Sequence, residues 1–156
     1  MQIAYNKSER VMTVDKEMWR EKLEKAMEDH EEGTPQLFLY SMLDFAFDYD
    51  EEKEAVVLTA PVSEIMFNPV GFIHGGVITY MADTALGHLC AAFLDQPSVS
   101  LELKTQFFRT VNHGSLKAIA TFQKKGKNVQ FAVCRIFDES DHCLAETTGT
   151  FYAVKT

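Results

Sequence analysis

Residues 68–93 read NPVGFIHGGVITYMADTALGHLCAAF, and the rest of the chain is arranged around them. Asn68-Pro69 and Gly71 mark a loop. From His74 onward the pattern is that of a helix, apolar nearly all round and without a single Lys, Arg or Glu. Such a helix is buried on most of its faces. Ala82, Ala85 and Gly87 are small enough to let another backbone approach closely. After Asp95-Gln96-Pro97 the period changes to two. Val99, Leu101, Leu103, Thr105 and Phe107 alternate with Ser100, Glu102, Lys104 and Gln106. Asn112-His113-Gly114 is a turn, after which Leu116, Ala118, Ala120 and Phe122 alternate with polar neighbours. Lys125-Gly126-Lys127 is the next turn, and Val129, Phe131 and Val133 resume the alternation. A turn over Asp138–Asp141 leads into a last strand ending AETTGTFYAV. Four strands in a row suggest an antiparallel meander.

Upstream of the loop, Met18, Trp19, Leu23, Ala26 and Met27 fall near helical spacing between Asp15 and Glu32, with Gly33 as a C-terminal cap. A Thr34-Pro35 break follows. LFLYSMLDFAFDYD then reads as a short helical turn and a strand carrying Phe45 and Phe47. The turn Asp50–Lys53 joins it to a second strand over 54–62. The order predicts an α+β fold: a curved antiparallel sheet of about six strands wrapped round one long central helix. Residues 1–40 form an N-terminal helical extension and 41–156 the main domain.

A chain of 156 residues has room for one sizeable core. Residues 1–54 hold fifteen acidic against seven basic side chains, and residues 55–156 hold eight of each. An acidic front on a neutral body argues against nucleic acid as a partner. No apolar run reaches the ~20 residues that span a bilayer, and the start lacks an apolar signal core. A cytoplasmic location without membrane association is expected. Cys90, Cys134 and Cys143 are odd in number and have no CxxC spacing, so reduced thiols are expected.

The five histidines form no HExxH or zinc-type spacing, and GxSxG and GxxxxGK are absent. No metal or cofactor is expected. What remains is His74-Gly75-Gly76 with Asp83. The N–H groups of two glycines at a helix start have no intrahelical acceptor, and the helix dipole adds partial positive charge there. They suit a carbonyl oxygen that becomes an oxyanion; equally, they suit a tight loop-to-helix junction. Asp83 favours the first. A carboxylate among Met81, Ala82, Ala85 and Leu86 loses solvation, which raises its pKa and makes it a better base or nucleophile. Thr79 and Thr84 are the local groups that could satisfy it instead. Gly75 and Asp83 lie ~12 Å apart along one helix, too far to meet at one carbonyl. Two antiparallel helices related by a two-fold axis would bring them together, giving a homodimer with shared active sites. An assembly of two such dimers is compatible with this. His88 reads as a hydrogen-bonded packing residue.

Asn68, His74-Gly75-Gly76 and Asp83 together resemble the signature of hot-dog thioesterases of the phenylacetate-degradation (PaaI-like) group. The resemblance runs from about Ser41 to Tyr152. It implies acyl-CoA thioester hydrolysis with neither metal nor cofactor. The N–H of Gly75 would polarise the carbonyl, Asn68 and His74 would fix the loop and orient carbonyl or water, and Gly76 would line the substrate. Asp83 of the partner subunit would be nucleophile or general base. The family's Ser or Thr at the start of the next strand matches Ser100, with Ser98 as competitor. Lys124, Lys125 and Lys127 at one turn and Arg109 at a strand end are candidates for the phosphates of coenzyme A, although the lysines also suit a solvated turn. Two alternatives stand beside hydrolysis. One is a non-catalytic acyl-CoA sensor, for which residues 1–40 are too short and acidic to add a DNA-binding module. The other is a hot-dog hydratase or dehydratase, whose His-Phe-Pro arrangement is lacking here.

Overall fold

The computed structural model describes residues 15–31 and 37–154. It divides into two compact units, with the boundary in the chain between Met42 and Leu43. The first carries helix α1 (Lys16–Glu31) and a short helix α2 (Phe38–Met42). Asp15 caps α1, its Oδ1 accepting from the backbone N–H of Glu17 at 3.0 Å and of Met18 at 3.2 Å. Ser41 Oγ donates to Asp29 Oδ2 at 2.7 Å and ties α2 to α1. The expected Gly33 cap and the Thr34-Pro35 break lie outside the described residues.

The second unit holds strands β1 (Ala46–Asp50) and β2 (Ala55–Pro61), helix α3 (Gly75–Phe93), and strands β3 (Ser98–Phe107), β4 (Ser115–Lys125), β5 (Val129–Asp138) and β6 (Cys143–Ala153). The six strands form one antiparallel sheet in the order β1-β2-β4-β5-β6-β3. Helix α3 packs against β2 to β6, as a helix apolar on most faces must. Ile78, Met81, Ala82, Ala85, Leu86, Leu89 and Cys90 are all buried. This is the hot-dog fold: a sheet curled round a long central helix.

Three expectations are corrected. The meander is three strands, β4-β5-β6, because β3 pairs with β6 and β4 pairs with β2 on its other side. The link from β3 to β4, residues 108–114, is longer than a tight hairpin. It is pinned to β6 by bonds from the N–H of Phe108 and Arg109 to the Leu144 carbonyl, at 2.8 and 3.1 Å. The second correction concerns β3. Its alternation is not continuous, because the register slips between Ser100 and Glu102. Leu101 is the extra residue of a β-bulge, which reverses the phase of the strand. Ser100, opposite buried Phe151, therefore shares a face with Leu103, opposite Gly149, and not with Glu102. The third is the phase of β5. Gln130, Ala132, Cys134 and Ile136 are buried, while Phe131 is exposed and, of the three residues expected inside, Val133 alone is buried. Under a closely packed helix the small residues face in, although the bulkier ones suggested the opposite face.

Gly149 shows how close that packing is. A Cβ there would meet Phe151 at 2.7 Å, Leu86 of α3 at 3.0 Å and Leu103 at 3.1 Å.

Candidate active site

The loop before α3 is fastened by its own side chains. Asn68 Oδ1 accepts from Val70 N at 3.0 Å and Phe72 N at 3.3 Å, and the Asn68 N–H donates to the Phe72 carbonyl at 2.8 Å. Asn68 thus has its carbonyl engaged, while its amide nitrogen has no protein partner among the described residues. His74 is the N-cap of α3: its Nδ1 accepts from the Gly76 N–H at 2.8 Å. An accepting Nδ1 places the proton of the neutral ring on Nε2. This cap explains Gly76, since a Cβ there would come within 2.9 Å of His74 Nδ1.

The two glycines are therefore not equivalent, contrary to the simple reading of a Gly-Gly helix start. The Gly76 N–H is used by His74. The Gly75 N–H has no protein acceptor among the described residues, and it is the one donor left open at the positive end of the helix. The Phe107 ring of β3 lies against the Cα side of Gly75, 3.2 Å from where a Cβ would stand. Beside them lies a cleft of about 300 Å³ lined by Asn68, Phe72, Gly75, Ile78, Phe107 and Arg109, among others.

Asp83 does not line this cleft. Its carboxyl is raised above the usual range by loss of solvent, an effect opposed by a hydrogen bond from the Ser100 side chain. The bulge is what turns Ser100 towards α3. Ser98, the competitor in sequence, has a buried hydroxyl with no partner. Neither of the threonines considered as local partners is needed. Thr79 donates to Thr105 at 3.3 Å, and Thr105 bonds Thr147, fully buried on β6, at 2.9 Å. This chain of hydroxyls locks the second turn of α3 onto β3 and β6, one turn before Asp83. Sequence reading missed it, as it missed Phe107. Thr147, a polar residue in the buried phase of β6, was the available signal.

His88 is a packing residue with a hydrogen bond: its Nδ1 lies 2.7 Å from Tyr49 Oη, and the Phe47 ring stacks on it at 3.9 Å. Burial pushes its pKa down.

The cationic candidates separate. Arg109 lines the cleft at Gly75. Lys125 and Lys127 line a second pocket at the opposite end of α3, and Lys124 lines neither. Lys125 is paired with Glu54 at 2.6 Å. Among the described residues no group of three His, Cys, Asp or Glu is placed to hold a metal ion, and no helix is long and apolar enough to cross a membrane.

Known proteins align with this geometry. The thioesterase superfamily model matches residues 70–145. "Putative esterase PM0788" of Pasteurella multocida is 31% identical over 94 residues, 58% of this chain and 68% of the relative. "Putative esterase ComA2" of Bacillus subtilis is 28% identical over 109 residues, 68% of this chain and 86% of the relative. Among solved structures, the E. coli PaaI protein from the phenylacetic acid degradation operon superposes with a TM-score of 0.72, 20% identity, 85% of this chain and 96% of that one. The BH2602 protein of Bacillus halodurans, crystallised with CoA, gives 0.81 at 19% identity, covering 94% and 99%.

Proposed function

The chain belongs to the thioesterase superfamily, and from that membership we propose that it hydrolyses acyl-coenzyme A thioesters at a site shared by two copies. The thioester carbonyl accepts from the Gly75 N–H, whose dipole and unspent donor favour the oxyanion formed on attack. The amide nitrogen of Asn68 and Nε2–H of His74 are held at the loop where they can orient the carbonyl or a water. Asp83 of the partner subunit either attacks the carbonyl carbon or takes a proton from the water that does. In the general-base route the C–S bond breaks and the thiolate takes the proton that Asp83 accepted from the water. In the nucleophilic route the thiolate leaves an acyl–Asp83 anhydride and takes its proton from the water that then hydrolyses the anhydride to the free acid. A single turnover in H₂¹⁸O separates the two routes: attack by a water that Asp83 deprotonates puts ¹⁸O in the released acid and none in the protein, whereas an acyl–Asp83 anhydride hydrolysed at the aspartyl carbon puts ¹⁸O in Asp83 and releases unlabelled acid.

One observation carries this reading: a desolvated carboxylate, hydrogen-bonded to Ser100, stands on the same helix as the open Gly75 N–H but ~12 Å along it. A single helix cannot bring both to one bond. The free edge of β3 supports association of two copies. Its outer side is unpaired among the described residues, and Val99, Leu101 and Phe107 are exposed along it. The CoA bound by the Bacillus halodurans protein supports the choice of thioester.

Thiol release from a panel of acyl-CoA substrates tests the reading. Asp83→Asn should lower turnover by roughly 10²–10⁴-fold with the fold intact. Full activity in that variant would remove Asp83 from the chemistry.

A further inference from the structure

The inner phase of β6 carries Ala145, Thr147, Gly149, Phe151 and Ala153, and Thr147 is its one polar member. It is fully buried. A valine has the same shape and the same preference for strands, so the sheet gives no reason for the hydroxyl. Thr147 Oγ1 lies 2.9 Å from Oγ1 of Thr105, its direct partner in the register of β3. Thr105 Oγ1 in turn accepts from Thr79 Oγ1 at 3.3 Å. None of the three lines the cleft at Gly75.

The place of Thr79 on α3 gives the chain of hydroxyls its meaning. It is four residues after Gly75 and four before Asp83, ~6 Å along the axis from each. A threonine inside a helix has an alternative partner, the carbonyl four residues earlier, and bonding back to it bends the helix. For Thr79 that carbonyl belongs to Gly75, whose N–H is the open donor. Here the Thr79 hydroxyl goes to β3 instead. Two residues along the same face of β3, the Phe107 ring lies against Gly75. The strand thus holds the first two turns of α3 at two points.

We infer that Thr105 is a positioning residue: held by Thr147, it draws the Thr79 hydroxyl away from the Gly75 carbonyl and keeps the helix tip straight, so that the Gly75 N–H stays aimed at the reacting carbonyl. This rests on the proposed shared site, in which each tip serves a carboxylate of the other copy. A bend repeated in both copies spoils both sites. Thr105 does not touch the substrate, so its effect falls on the step that forms the oxyanion and not on binding.

The test sets stability against turnover. Thr105→Val combined with Thr147→Val replaces two bonded hydroxyls by groups of the same shape, a change close to neutral for folding. The double variant should melt within about 2–4 °C of the parent. Its KM for acyl-CoA should hold while kcat falls roughly tenfold to a hundredfold. Thr105→Ser keeps the hydroxyl and should keep kcat. Adding Thr79→Val to the double variant removes the group that would bond back to Gly75, and should recover most of the lost kcat. Parental kcat in the double variant, a higher KM at constant kcat, or a triple variant no better than the double would overturn the inference. So would a double variant that melts far below the parent, because the hydroxyls would then serve the fold. A crystal structure of the double variant gives a readout apart from catalysis: Thr79 Oγ1 should stand ~3 Å from the Gly75 carbonyl oxygen. Without that bond the inference falls, whatever the activity. With it, in a protein that releases no thiol from any acyl-CoA, the control of the helix tip stands and the hydrolase is discarded.

Discussion

Replacing Gly76 with alanine separates what the helix start does for stability from what it does for chemistry. The added Cβ would stand 2.9 Å from His74 Nδ1 and 3.2 Å from its Cε1. Backbone cannot yield there, so the imidazole leaves and its 2.8 Å bond to the Gly76 N–H is lost. Loss of an N-cap costs about 1 kcal/mol. Alanine in place of glycine in a helix gains up to about 1 kcal/mol. The two nearly cancel, so Gly76→Ala should melt within roughly 1–2 °C of the parent, each kcal/mol being worth about 2–4 °C in a chain of this size. His74→Ala loses the cap without any gain and should melt roughly 2–4 °C lower. The double variant should recover most of that loss, because the methyl group no longer meets a ring. Activity should follow a different order. Gly76→Ala, with a misplaced His74 at the oxyanion end, should fall roughly tenfold to a hundredfold in thiol release. Differential scanning fluorimetry and the thiol assay on the three variants complete the cycle. Parental activity in Gly76→Ala, or a melting point many degrees lower, would refute the reasoning.

Ser100→Ala removes the hydrogen bond that opposes the desolvation of Asp83. In the proposed chemistry the carboxylate is the active form, and burial already raises its pKa. Losing Ser100 raises it further, so the acid limb of the kcat/KM profile should move to higher pH. An unmoved limb, or one moved to lower pH, would contradict the assignment. Gly149→Ala puts a methyl group against Phe151, Leu86 and Leu103. It should cost about 1–3 kcal/mol in urea unfolding; a neutral result would mean that α3 sits less tightly on β6 than described.

The outline of the fold was legible because its decisive signals are local. An uncharged apolar helix must be enclosed, and short alternating runs separated by Asn-His-Gly and Lys-Gly-Lys must be strands. What was not legible depends on pairing. Nothing in Val99–Phe107 announces that Leu101 is an extra residue, since the alternation in the sequence is unbroken. Only the register against β6 shows the slip that brings Ser100 to Asp83. The phase of β5 was hidden by bulk, as Phe131 is exposed while Ala132 and Cys134 lie under the helix. Asn68, His74 and Gly75 could be named as candidates from the family resemblance that their spacing carries. That His74 takes the Gly76 N–H, leaving Gly75 alone as the open donor, required side-chain positions. The same holds for the basic residues: Arg109 and Lys127 look alike in sequence and sit at opposite ends of α3.

The most direct measurement is complementation between two inactive chains. Asp83→Ala lacks the carboxylate, and Gly75→Val blocks the helix tip, where even one added carbon would meet Phe107. Neither should release thiol alone. Refolded together and left to pair at random, half of the dimers are mixed, and each has one site with both wild-type elements, so about a quarter of parental activity should return. Silence in the mixture, with mixed dimers verified by mass, would mean that Gly75 and Asp83 do not meet across the two subunits.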